Sequence, residues 1–150
     1  MGDTMHMELS TFQSFVRANA AWFRGVKPES HASLERAESQ LGFPLPVSLK
    51  WLLSEYGYSG ACGVSSLDDA IVVTLRCRTA ISFPKDGMIL NDWGDAGVVC
   101  LDSRSGFVIW THAHELQRHF GTGHTPLDAD TFENFPTWVV SRLEIERAEE

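Results

Sequence analysis

The chain has 150 residues, 43% of them hydrophobic and 21% charged, in the range of an ordinary globular protein that forms one domain over residues 1–150. Twenty acidic residues against 12 basic give a net charge of −8, which excludes the basic footprint of a nucleic-acid binder and suits a basic partner. No apolar run reaches the roughly 20 residues that span a bilayer, so no membrane association is expected.

The N-terminal Met1-Gly2-Asp3-Thr4-Met5-His6 has neither a basic nor an apolar signal region, and His6 fails the myristoylation pattern; the expectation is cytoplasmic. Residues 8–24 then read as one amphipathic helix, with Leu9, Phe12, Phe15, Val16, Trp22 and Phe23 near one face and Ser10 to Gln13 in capping-box form. Gly25 ends it. A second helix is predicted over about 31–41, where Leu34, Ala37 and Leu41 share a face and Gly42 supplies a left-handed stop. Phe43-Pro44-Leu45 must run extended, and Pro46 restarts a helix over about 46–56 whose apolar face is Leu49, Leu52, Leu53 and Tyr56.

Gly57, Gly60 and Gly63 mark a loop. Residues 67–82 carry two signals: Ile71-Val72-Val73-Thr74 has strand propensity, whereas Leu67, Ile71, Leu75 and Arg78 keep helical spacing with Asp68 as a possible cap. Helix is the preferred reading. Strands follow at Met88–Leu90, Val98–Asp102 and Phe107–His112, the last two forming a hairpin around Ser103–Gly106. Residues 121–130 read as a loop, and a closing helix is predicted over about 132–147 with Thr131 as its N-cap. Pro136 falls inside that span, although proline is tolerated only in a first turn. The order gives an α+β domain: N-terminal helices, a small mainly antiparallel curved sheet, and a C-terminal helix.

Glu38 to Leu53, with Leu41-Gly42, Leu45-Pro46, Leu52-Leu53 and then Tyr56-Gly57, resembles the hallmark of the SUKH superfamily. That superfamily joins bacterial toxin-immunity proteins to a fungal cell-wall-synthesis regulator. Asp92 to Asp102 is similar to its Gly/Asp-rich turn and following strand, Gly106 to His112 to the next strand, and Phe132 to Leu143 to the closing helix. The resemblance spans about residues 30–143, and residues 1–29 add a helix to the same domain. It implies a non-enzymatic, cofactor-free immunity protein that binds a cognate toxin, frequently a nuclease. The same fold also serves as a regulatory interaction module.

Candidate partner-binding residues are Tyr58, Asp68, Asp69, Asp92, Trp93 and Asp95, chosen for expected exposure and charge. Trp93 has two readings, an interface anchor or a lid folded over the sheet edge. His112, His114, His119 and His124 raise a histidine metalloenzyme as the third hypothesis, but no His-Glu-x-x-His or paired Cys/His spacing supports a metal. Asn91, Asp92 and Asp95 lack the EF-hand order. Cys62, Cys77 and Cys100 are odd in number and unevenly spaced, so neither a disulfide framework nor a zinc knuckle follows. Cys62, in a glycine-rich loop without a placed base, reads as an ordinary thiol.

Overall fold

A computed structural model describes residues 7–80, 83–93, 97–112 and 130–148. The first predicted helix is divided in two. α1 (Leu9–Ala18) ends where the Asn19 side chain donates to the Phe15 carbonyl at 2.9 Å, and α2 (Ala20–Phe23) follows. Asparagine competes with the helix for its own backbone, which explains the break. The capping box does not form either, since Glu8 occupies the N-cap position without a side-chain bond.

α3 (His31–Leu41) has the expected limits: Ser30 accepts from the Ser33 N–H at 3.1 Å, and Gly42 adopts φ +90° at the stop. α4 (Val47–Glu55) begins after Pro46. The extended joint between them is held by a residue on α3. The Glu38 carboxylate accepts from the Leu45 N–H at 2.7 Å and pairs with Lys50 Nζ at 3.2 Å. This explains physically why a glutamate, a Leu-Gly stop and a Leu-Pro restart occur together: one carboxylate satisfies the backbone that the prolines leave without a partner.

Residues 67–80 settle as a helix, α5 (Leu67–Ala80). Its cap is Ser66, whose Oγ accepts from the Asp69 N–H at 3.1 Å, so Asp68 lies in the first turn rather than capping it. Four strands, β1 (Gly87–Asp92), β2 (Val98–Asp102), β3 (Val108–Thr111) and β4 (Asp130–Phe132), pair antiparallel in the order β1-β2-β3-β4. A bulge at Leu90 shifts the β1–β2 register. On one sheet face Met88, Leu90, Val99, Leu101 and Val108 join Phe12, Val16, Phe23, Leu49, Leu52 and Leu53 in the main core. On the other, Ile89, Val98, Cys100 and Ile109 gather with Phe83, Val73 and Cys77. Burial pushes the thiols of Cys77 and Cys100 above the ordinary cysteine range, as for unreactive apolar groups.

The open edge of β1 is closed by residues 63–74. Thr74 Oγ1 accepts from the Ile89 N–H at 2.8 Å, and the Ser65 N–H donates to the Leu90 carbonyl at 3.2 Å. An edge strand covered in this way cannot recruit another chain. At the far side, Thr131 pairs with Ile109 and Phe132 with Val108, so Thr131 is a strand residue and not the predicted N-cap. The closing helix α6 (Phe135–Ala148) instead starts after Asn134, whose Oδ1 accepts from the Thr137 N–H at 3.0 Å. Pro136 therefore falls in the first turn, where its missing N–H costs nothing.

Candidate partner-binding surface

Tyr58 stands in the loop after α4, and its hydroxyl is engaged within the fold. It donates to the Glu29 carboxylate and accepts from the Leu67 N–H at 3.0 Å, tying the approach to α3 to the start of α5. Burial first, and the Glu29 hydrogen bond second, hold the phenol well above the ordinary tyrosine range. Its backbone pairs with Val26, where Gly25 and Gly57 lie so close to the facing strand that a Cβ would stand 2.3 Å from the Tyr58 carbonyl oxygen and 2.4 Å from that of Val26. The side chains of Asp68 and Asp69 are exposed beside this latch, in the first turn of α5 where the helix dipole favours carboxylates.

Trp93 is half-buried just after β1. Its ring packs edge-on against Trp110 with centroids 5.3 Å apart, lies 6.2 Å from Trp138, and has the Arg142 guanidinium 5.0 Å over its face. Phe132 completes the group at 5.2 Å from Trp138. The indole N–H of Trp138 and the amide of Asn91 both donate to the Gly63 carbonyl, at 3.2 and 2.8 Å. Arg142 also donates to the Gly60 carbonyl at 3.1 Å, so the corner joins α6, the glycine loop and the β1 bulge. Asp92 is exposed at the end of β1, while Asp95 lies outside the described residues.

The five candidates within the described residues thus fall at two places, Tyr58, Asp68 and Asp69 at one and Asp92 and Trp93 at the other. His112 is exposed at the end of β3, and His114, His119 and His124 lie outside the described residues. Among the described residues, no group of three or more His, Cys, Asp or Glu side chains is placed to hold a metal ion. Cys62 is 1% exposed and its thiol donates to the Val64 carbonyl at 3.1 Å, which leaves it inaccessible as a nucleophile. No helix among the described residues is long and apolar enough to cross a membrane.

Sequence reasoning missed a third surface. A groove of about 360 Å³ runs between α3 and α4, with Leu34 and Trp51 among its lining and His31, Glu35, Glu38, Val47 and Lys50 along the sides. Val47 is 61% exposed there. The signal was available: Val47 and Trp51 repeat at i and i+4 on α4, outside the Leu49, Leu52, Leu53 stripe. A short helix apolar beyond its core stripe has a second face to cover.

No curated protein matches this chain. The SUKH_5 family model, described as SMI1-KNR4 cell-wall, matches residues 10–144. At family level these are immunity and regulatory modules that bind partner proteins. With that match running from α1 into α6, the chain belongs to the SUKH family.

Proposed function

We propose that the chain is a non-enzymatic immunity protein of the cytoplasm that neutralises a cognate toxin domain by binding it. Family membership over residues 10–144 carries the reading. The net charge of −8 directs it towards a basic toxin, a nuclease being one such class, because opposite fields speed encounter and favour the correct partner. Asp68, Asp69 and Asp92 contribute exposed carboxylates to that field; Asp95 belongs to the same proposal. Tyr58 and Trp93 shape the loops from which these carboxylates project.

Co-expression with the toxin encoded beside the gene tests the reading. Growth is restored and a complex co-purifies if it holds; a toxic phenotype that persists with no complex rejects it for that pair. The cell-wall description of the matching family favours a second reading, a regulatory interaction module of the same fold. A solitary gene with no toxin neighbour, and a host assembly protein as its stable partner, would select that reading instead.

A further inference from the structure

We propose that the groove between α3 and α4 is the docking surface for the partner, and that it takes a basic segment carrying one apolar anchor side chain. The inference rests on the binding reading above and adds to it the place and the chemistry.

Three adjoining hollows form the surface. The central one shares Glu35 and Glu38 with a neighbour that continues over Phe43 and Pro44, and shares Val47 with another that continues towards Leu9 and Pro136. Their joint lining holds three carboxylates, Glu8, Glu35 and Glu38, against one ammonium, Lys50, a net charge of −2. Lys50 is already paired with Glu38, and the Glu35 carboxylate, 64% exposed, has His31 as its ion-pair partner, charged only when protonated. Arg17 stands 5.7 Å over the Trp51 ring on the side of α1 and offsets one of these carboxylates, so the surface keeps a net negative charge of −1.

The apolar part matches the anatomy of an interface centre. Trp51 is half-buried and fixed by edge contacts to Phe12 at 6.0 Å and Tyr56 at 5.8 Å and by Arg17 over its ring, beside the exposed Val47. A tryptophan held in place loses little freedom on binding, and a polar rim around it excludes water. Trp93 is half-buried and packed in a similar way, but it lines none of the three hollows.

The five tryptophans, Trp22, Trp51, Trp93, Trp110 and Trp138, give five indole N–H reporters for the test. The ¹⁵N-labelled chain is titrated with the catalytically inactivated toxin domain encoded beside its gene. Complex formation should shift the Trp51 signal and leave Trp93 and Trp138 in place. Glu35→Lys and Val47→Ala, both at exposed positions, should each weaken the complex by at least about tenfold with unchanged thermal melts. A complex that moves Trp93 but not Trp51, or that is indifferent to both substitutions, overturns the surface while the immunity reading stands. Absence of any complex overturns both. A Trp51 shift that follows the chain's own concentration without the toxin would assign the groove to a second copy and also overturn the proposal.

Discussion

Individual side chains in this fold act mainly by satisfying backbone groups that the chain leaves open at its joints. Glu38 is the clearest case, with one carboxylate serving both the Leu45 N–H and Lys50. Glu38→Ala should cost about 2 kcal/mol in a urea titration, because the hydrogen bond lost is to a charged group. Glu38→Gln retains an acceptor for Leu45 and should cost clearly less; equal losses would show that the ion pair matters and the joint does not. Tyr58 gives a pH signature. Its folded-state pKa is raised, so it contributes stability that is complete below the ordinary tyrosine value of about 10 and is lost as pH rises above it. The stability of Tyr58→Phe should therefore fall less steeply than wild type on the alkaline side; parallel curves would refute the latch. Trp93→Ala, on the lid reading, should lower stability by about 2 kcal/mol in thermal or chemical melts while leaving partner affinity nearly unchanged. The sequence left the lid and anchor readings of Trp93 level, since a turn position does not say which way a ring folds. Only Trp110, Trp138 and Arg142, brought from β3 and α6, decide its surroundings.

Among the elements, those with a local stop or restart signal were readable from the residues, whereas the periodicity over 8–24 hid the break at Asn19. α3 runs between Ser30 and Gly42 as its cap and stop require, and β2 has the limits expected for Val98–Asp102. The failures have local causes. β4 is three residues long and owes its existence to pairing with β3, a partner no window of sequence contains. The late start of α6 did leave a trace: Asn134 two positions before Pro136 is a cap-and-first-turn signal that outranks Thr131. α5 overcame the strand propensity of Ile71-Val72-Val73-Thr74 because its burial is one-sided, with Leu67, Ala70, Ile71 and Thr74 inward and Val72 exposed. Thr74 is what joins this helix to the sheet. Thr74→Val keeps the shape but leaves the Ile89 N–H without a partner on a buried edge, at a cost of about 2 kcal/mol. Thr74→Ser should restore most of it, and faster amide exchange at Ile89 in the valine variant would locate the loss. An unchanged exchange rate there would mean that the edge is protected by packing alone.

At the scale of the molecule, the scaffold motif and the proposed binding surface overlap, since Glu38, Gly42, Pro44 and Pro46 also line the hollows. The leucines, glycines and prolines that mark the family build the joint between α3 and α4, and the groove lies over that joint. Function was still less legible than fold: the stripe that identifies α4 is its buried one, whereas the residues offered to a partner, Val47 and Trp51, sit on the other side. The charge of −8 is a property of the whole chain and acts on association more than on any one contact. Calorimetry with the purified toxin domain, at low and high salt, is the decisive measurement. A stoichiometric complex is expected, with a Kd below about 1 µM that weakens at least about fivefold between roughly 0.05 M and 0.5 M sodium chloride. No heat of binding, or an affinity that salt leaves unchanged, would contradict the immunity reading.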